Sequence, residues 1–453
     1  MLRFATLLIA AGALWAQQVE LTLDRAIESS LKHYPSIRVS QEQINAAAAA
    51  IRLARAAYLP RVDALAQVNR ATRNNIFGLM LPQSVIPSIS GPVIGSNNFG
   101  TVWGSAVGVL ATWEPFDFGL RDANVSVAGK ARAQTEATLK RTQFEVASTA
   151  ADAFVTLIAA QETVRAAQAG VDRADVLLKV ITARVNAQLR PGADQSRAEA
   201  ELATARTQLI QAQQAVDVAR ATLSQFTGTD PAQTSVLSGN LLQPPPQGET
   251  QALNVSANPA LIEQHATLEQ AEAQLRALER SYFPRFYVQA SAYARGTGAE
   301  LNGGRLGALN GLAPNVQDYA VGFTVTFPVF DLPGLRAREA EQAAVIRSQN
   351  ARAEQITTDL RAQWNRAVAN VQGARRIASN TPVEVAAARA AESQAKARYE
   401  SGLGTIDDVA ETERLLTTAE IDDALARLGV WRGLLGIAIA AGDLQPFIAE
   451  VGR

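Results

Sequence analysis

The chain has 453 residues, 47% of them hydrophobic, so it can bury a large core. Its formal net charge of −1 gives no electrostatic basis for binding nucleic acid. It contains no cysteine and two histidines, which excludes disulfides and thiolate ligands and leaves little for a metal site or a histidine-based triad. We therefore expect neither an enzyme nor a bound metal or cofactor.

Residues 1–16 are predicted to be a signal peptide. Arg3 supplies the positive charge, and the apolar stretch Phe4–Trp15 is too short to span a bilayer, which takes roughly 20 residues. An uncleaved first helix is the alternative. No later segment resembles a membrane helix, because the apolar run Leu434–Ala441 is short and broken by glycine. An exported protein of this kind is periplasmic, secreted or a β-barrel.

The chain repeats itself with a period of about 215 to 225 residues. Tyr58-Leu59-Pro60-Arg61 recurs as Tyr282-Phe283-Pro284-Arg285, and Phe116-Asp117 recurs as Phe330-Asp331. A proline-rich linker separates the two halves. The predicted divisions are a first repeat (17–228), a linker or equatorial region (229–252), a second repeat (253–442) and a C-terminal tail (443–453).

Each repeat begins with a helix and two strands. In the last strand, Tyr319, Val321 and Phe323 alternate with small or polar residues, and the strand has the length of a transmembrane strand, roughly 9 to 11 residues. Long loops rich in glycine, asparagine, proline and serine follow the first strand of each pair and are expected to be extracellular. The predicted strands are about 62–70, 102–113, 286–295 and 319–327.

Four strands cannot close a barrel, and the smallest transmembrane barrels use about eight. Because open sheet edges are not tolerated in lipid, several chains must share one barrel if these strands lie in a membrane. Two chains would fill the lumen with side chains, whereas three would give twelve strands and a pore. The small polar face of Ala320–Thr326 would then line the lumen.

Two very long helices complete each repeat. Leu157, Val164, Val171, Leu178 and Val185 are seven residues apart, and sustained sevens predict coiled-coil packing. Breaks before 193 and before 405 fold one helix back on the other as a hairpin. An ordinary intracellular coiled coil is the alternative, against which the signal segment and the strands argue. The predicted helices are about 120–189, 193–227, 335–400 and 405–441.

Several motifs together resemble the TolC outer-membrane efflux family across the whole mature chain. They include Leu21–Ile27 at the start, Phe116–Gly119 and Pro328–Asp331 before the long helices, and Tyr399–Glu411, which is the most specific. The resemblance implies a mainly α-helical fold with transmembrane β-strands, built from a duplicated unit. It implies a homotrimer with a twelve-stranded barrel in the outer membrane, continued by a twelve-helix periplasmic tunnel.

The resemblance also implies partners and a gate. The periplasmic tip would dock a membrane-fusion adaptor and an inner-membrane pump of RND or ABC type. Tyr399 matches the gating tyrosine of the family, and Asp408 and Glu411 match its acidic positions. Three chains would bring six carboxylates around a narrow pore, and crowding would raise some of their pKa values.

The two hairpin turns are the predicted adaptor-docking tips. The chain departs from the family at Gly404, where a basic residue can occur; Arg398 or Arg190 are candidates to replace its charge. Without the family match, Asp408 and Glu411 would be interpreted as solvated helix-start residues. The tip residues are Leu189, Arg190, Pro191 and Gly192 in the first turn, and Gly402, Leu403, Gly404 and Thr405 in the second.

Two other functional classes remain possible from the sequence. A periplasmic adaptor would carry a single hairpin beside compact β-domains, and a cytosolic coiled-coil scaffold would have no export signal and no barrel. Within the channel class, the exported cargo stays open among drugs, metals and proteins.

Overall fold

A computed structural model describes residues 19–72, 101–189, 191–243, 252–298, 300, 306–327 and 329–452. The predicted signal peptide and most of the first long loop lie outside these residues. The helices are α1 (Leu23–His33), α2 (Pro35–Ala56), α3 (Leu120–Asn186), α4 (Gly192–Thr227), α5 (Pro259–Arg280), α6 (Leu332–Glu400), α7 (Ile406–Ala441) and α8 (Gln445–Val451). The strands are β1 (Val19–Leu21), β2 (Arg61–Thr72), β3 (Thr101–Phe116), β4 (Thr234–Val236), β5 (Arg285–Thr297) and β6 (Val316–Thr326).

The order of helix, two strands and two long helices occurs twice, and the long elements begin and end within a few residues of their predicted bounds. The compact units in space differ from these halves, because each unit takes segments from both. We call the first the strand unit, formed by Gln43–Thr135 and His265–Ala351. We call the second the hairpin unit, formed by Met1–Glu42, Glu136–Gln264 and Arg352–Arg453.

The strand unit is built on a four-stranded antiparallel sheet in the order β2-β3-β5-β6. The two repeats therefore meet at the β3–β5 pair, where Val109 lies opposite Ala292. Since residues directly opposite one another share a face, the register assigns every side chain to one of two faces. Ala64, Val109, Ala292 and Tyr319 fall on the same face.

The start of α3 contains a buried ion pair. The Asp117 carboxylate accepts hydrogen bonds from the backbone N–H of Gly119 (3.1 Å) and of Arg121 (2.7 Å), and from Arg121 Nε (2.8 Å). Both charged side chains are 8% exposed, and the Arg121 guanidinium lies 4.7 Å from the ring centroid of Tyr58. The equivalent residue of the second repeat, Asp331, is exposed. The Phe-Asp motif therefore has different surroundings where the strands lead into the long helix of each repeat.

The hairpin unit is held together by the predicted coiled-coil residues. Leu157, Ile181 and Leu223 are fully buried, and the largest apolar cluster forms around Phe154 and Trp431. α4 and α7 both end at a glycine with positive φ, Gly228 and Gly442 in the two repeats. Positive φ costs glycine no steric penalty, which fixes the ends of both helices.

By length and composition alone, α7 meets the criterion for a bilayer-crossing helix, contrary to the sequence-based expectation. Half of its most apolar window is buried inside the chain. A core helix of a soluble domain passes the same criterion, and α7 contributes Trp431 and Leu435 to the main apolar cluster. The hydrophobicity of α7 is therefore accounted for by packing.

Candidate functional site

One face of the sheet is almost entirely apolar and unusually exposed. Tyr319, Val321 and Phe323 of β6 are 86%, 75% and 65% exposed. An apolar surface of this kind is a poor match for water and matches the lipid-facing side of an outer-membrane strand set. The apolar residues of this face, which we call the apolar face, are Val62, Ala64, Ala66, Val68, Val107, Val109, Ala111, Trp113, Phe286, Val288, Ala290, Ala292, Tyr319, Val321, Phe323 and Val325; towards the long loops the same side also carries Arg70, Ser105 and Gln317.

The opposite face carries the polar and charged side chains, and we call it the polar face. Arg295 Nε lies 3.2 Å from Asp318 Oδ2, and Arg61 Nε lies 2.9 Å from Asp63 Oδ2. The predicted lumen residues Ala320–Thr326 alternate between the faces, and the register puts Ala320 and Thr324 on the polar one. The segregation of the two faces matches a strand set with lipid on one side and water on the other.

Aromatic rings gather where the sheet gives way to the long helices. The centroids of Phe116 and Phe118 are 4.6 Å apart, and those of Phe118 and Phe283 are 5.1 Å apart. Trp113 is exposed and donates its Nε1–H to the carbonyl of Tyr58 at 3.1 Å. Rings at the end of an exposed apolar face match the aromatic girdle of a membrane interface.

The sheet is open at both rims. Within the described residues, β2 pairs only with β3, and β6 pairs only with β5. Each rim therefore presents unpaired backbone N–H and C=O groups along its length, which lipid cannot satisfy. The four strands form one sector of a larger closed sheet if they lie in a membrane.

At the hairpin tips, Tyr399 is buried rather than displayed. Its side chain is 1% exposed and packs with Ile181, Ile406 and Val409. The hydroxyl donates to Asp194 Oδ2 at 3.0 Å. Asp194 is in the first turn of α4, and Tyr399 is in the last turn of α6. The contact therefore joins the α3–α4 hairpin to the α6–α7 hairpin within one chain.

Asp408 is the helix cap of α7. Its carboxylate accepts the Thr405 N–H at 3.0 Å, and its own N–H donates to Thr405 Oγ1 at 3.2 Å. These backbone and side-chain hydrogen bonds from Thr405 lower the pKa of Asp408. Within a single chain, this direction is opposite to the rise that crowding of carboxylates would cause.

Glu411 lies one turn further along α7. Its side chain is 73% exposed and pairs with Arg414 Nη2 at 2.7 Å. The structure therefore separates the three predicted gate residues: Tyr399 points into the hairpin core, while Asp408 and Glu411 face outward. Arg414 offsets the Glu411 charge at this surface.

The two tip turns differ in how they reverse the chain. In the second turn, Gly402 has φ +80, and the N–H groups of Leu403 and Gly404 donate to the Arg398 carbonyl at 2.8 and 3.1 Å. In the first turn, the left-handed residue is Gln188, with φ +58. Gly192, one of the predicted tip residues, is the first residue of α4. Arg190 lies outside the described residues.

Each tip carries one exposed leucine. In the second tip, Gly404 is closely surrounded by neighbouring atoms. Leu189 and Leu403 are 73% and 75% exposed, so each turn presents an apolar side chain to its surroundings. At Gly404, a Cβ would lie 3.2 Å from the Arg398 Cβ and 3.2 Å from the Tyr399 nitrogen. A larger residue at Gly404 therefore requires the turn to shift.

Sequence reasoning missed two residues that join the hairpins. Arg197 Nε of α4 lies 3.1 Å from Asp407 Oδ1 of α7, and this ion pair joins the hairpins without Arg398 or Arg190, the two candidates named from the sequence. Asp194, the acceptor for Tyr399, occupies the repeat position of Asp408. That equivalence was visible in the sequence and would have drawn attention to Asp194.

A model of the outer membrane efflux protein family matches residues 26–229 and 253–442. A search of curated proteins found none that matches. Among solved structures, the chain superposes on CusC with a TM-score of 0.75 at 14% identity, covering 95% of this chain and 94% of that one.

The outer membrane protein VceC of Vibrio cholerae gives a TM-score of 0.70 at 18% identity, covering 93% of this chain and 96% of that one. The MtrE outer membrane channel of Neisseria gonorrhoeae gives 0.70 at 19% identity, covering 93% and 89%. At these identities the likeness establishes the fold.

Proposed function

Since the chain belongs to the outer membrane efflux protein family, we propose that it forms the passive export duct of a tripartite system. The family membership makes it an outer-membrane efflux channel protein and not an enzyme. Neither the adaptor nor the coiled-coil scaffold alternative finds support among its relatives. The observation that carries the proposal is the open four-stranded sheet with one exposed apolar face and one polar face.

The proposed assembly is a homotrimer. Three copies of a four-stranded sheet give twelve strands, enough to close a barrel with a water-filled lumen. Joining β6 of one copy to β2 of the next would satisfy both open rims. The apolar face would then contact outer-membrane lipid, and the polar face would line the pore. The four long helices of each chain would supply a twelve-helix periplasmic tunnel.

The proposed gate and docking surface lie at the hairpin tips. Asp408 and Glu411 face outward and are the candidates for an acidic ring among three copies, while Tyr399 holds the hairpins of each copy together through Asp194. The exposed Leu189 and Leu403 are the candidate contacts for a periplasmic membrane-fusion adaptor. An inner-membrane pump of RND or ABC type would supply the energy.

The test begins with the mature protein extracted in detergent. We expect a heat-modifiable oligomer on electrophoresis that inserts into planar bilayers and conducts in discrete steps. A soluble monomer without channel activity would contradict the proposal. Deleting the gene, with complementation as the control, should raise susceptibility to some members of a panel of dyes, detergents, antibiotics and metals. The pattern of affected compounds identifies the cargo class.

A further inference from the structure

Glu413 is a buried carboxylate without a partner. It lies on the inner side of α7 and is 9% exposed. Among the residues that the structure describes, no hydrogen bond or ion pair joins its carboxylate to another side chain. Burying an unpaired charge is costly, so this position favours the neutral carboxylic acid.

Charged groups from three helices face Glu413. Arg173 belongs to α3, Glu201 to α4, and Glu392 and Lys396 to α6. Burial, together with the nearby carboxylates of Glu392 and Glu201, raises the pKa of Glu413 to about 7, against the opposing effect of Arg173 and Lys396. Below that pH the carboxyl is neutral, and above it a negative charge is confined beside two other carboxylates.

The packing around Glu413 is loose. Its side chain lines a cavity of about 470 Å³ between α3, α4 and α7. The apolar lining is contributed by small residues such as Ala167, Gly170 and Ala205; at Gly170, α3 lies close to α7, since an added Cβ would be 3.0 Å from Thr417 Oγ1. Small apolar areas contribute little to packing, at roughly 25 cal/mol per Å². Moving α7 outward therefore loses little, and it lets water reach the carboxylate.

Polar contacts mark the same region as a boundary between two packed clusters. Towards the tip lies the apolar cluster around Tyr399 and Val409. On the other side of Glu413, Arg173 donates to Thr417 Oγ1 at 2.8 Å and pairs with Glu420 at 3.1 Å. The tip of α7 is thus joined to its neighbours through a belt of polar contacts, in which Arg173 bonds to Thr417 and Glu420 and not to Glu413.

We propose that Glu413 is a proton-dependent latch: neutral, it lets α7 pack against the α3–α4 hairpin, and ionised, it loosens that packing at the tips. The sign follows from linkage. A group whose folded-state pKa is raised stabilises the packed form below its ordinary value, and that stabilisation disappears as the pH rises through the raised value. The latch should therefore release between about pH 4.5 and about pH 7.

The consequence for transport rests on the proposed function, but the latch can be measured without it. The chain has no cysteine, so Ala200→Cys and Leu415→Cys place one spin label on α4 and one on α7, at exposed positions that leave the Arg197–Asp407 ion pair intact. Full-length labelled protein, diluted with excess unlabelled chain, is measured by pulsed electron paramagnetic resonance from about pH 4 to about pH 9, which spans the titration.

With Glu413 present, the interspin distance should lengthen as the pH rises, reaching its full extent near pH 7. The Glu413→Gln variant should keep the short distance throughout. The Asp422→Asn variant, which removes an exposed carboxylate from the same helix, is the matched control and should behave as the parent does. Glu392→Gln removes a neighbouring negative charge and should shift the transition to lower pH, which provides a readout even if the Glu413 variant fails to fold.

A distance that stays constant across this range in the parent chain would overturn the latch, as would an equal lengthening in Glu413→Gln. Single-channel conductance over the same pH range separates the latch from the gate. A change in the interspin distance with unchanged conductance would support the latch and would contradict the proposal that the tips form the gate. A conducting channel with no distance change would reject the latch and leave the channel function intact.

Discussion

The assignment of the two sheet faces can be tested with neighbouring residues of β6. Val321 lies at the middle of the strand on the apolar face, is 75% exposed and pairs with Ala290. Ala320 lies at the same depth on the polar face, opposite Ser291. Replacing each by arginine puts the same charge on opposite sides of the same strand.

An arginine on the lipid side near the bilayer midplane costs about 2–4 kcal/mol in a transmembrane barrel. We expect Val321→Arg to lower the free energy of unfolding by that amount per chain. Ala320→Arg should cost less than 1 kcal/mol, because its guanidinium faces water and has Asp318 two residues away on the same face.

The assay is equilibrium urea unfolding of protein folded into vesicles, followed by tryptophan fluorescence. The five tryptophans of the chain are untouched by either change. Equal destabilisation by the two variants, or a larger loss from Ala320→Arg, would refute the assignment of lipid to the apolar face.

Other changes address the ion pair, the long helix and the tips. Asp117→Ala strands the buried Arg121 charge and should cost about 3–5 kcal/mol in thermal or urea unfolding, whereas its repeat counterpart Asp331→Ala, at an exposed site, should cost less than 1 kcal/mol. Val171→Pro breaks α3 and should remove about 3 kcal/mol or more; an intact oligomer of normal melting temperature would count against the helix. Replacing both Asp408 and Glu411 by alanine should lower cation preference in bilayer conductance, and unchanged selectivity would exclude them from the gate. The lowered pKa of Asp408 stabilises the folded chain at pH values above the ordinary pKa of the carboxyl, and this stabilisation is lost as the pH falls through the lowered pKa. Asp408→Asn alone should remove this pH dependence, which is measured as melting temperature against pH.

Periodicity explains why the sequence predicts the long elements well. The two-residue period in β6 and the seven-residue period in α3 indicate which side chains share a face of the strand or helix. That property depends only on local geometry. The same local rule explains why the two Phe-Asp motifs behave differently. Asp117 and Arg121 are four residues apart and share a face, whereas Asp331 and Arg336 are five apart and do not.

The candidate site was harder to predict because its geometry depends on contacts between distant segments. Tyr399 could be placed by motif, but its burial results from packing among four helices. Glu413 belongs to a run of acidic residues that resembles a solvated helix face, and its burial depends on the positions of α3, α4 and α6. The role of Asp408 as a cap follows from Thr405 three residues earlier, a capping-box pattern present in the sequence.

The order of the sheet has a consequence for how a ring is assembled. The β3–β5 seam unites the two repeats inside one polypeptide, so that junction forms during folding and needs no encounter between molecules. The outer rims belong to different repeats, so in the proposed ring each copy would join the next head to tail, and the ring would have a direction of rotation. In the proposed trimer, duplication would leave three joints between molecules where six separate repeats would need six, all of one kind, β6 against β2.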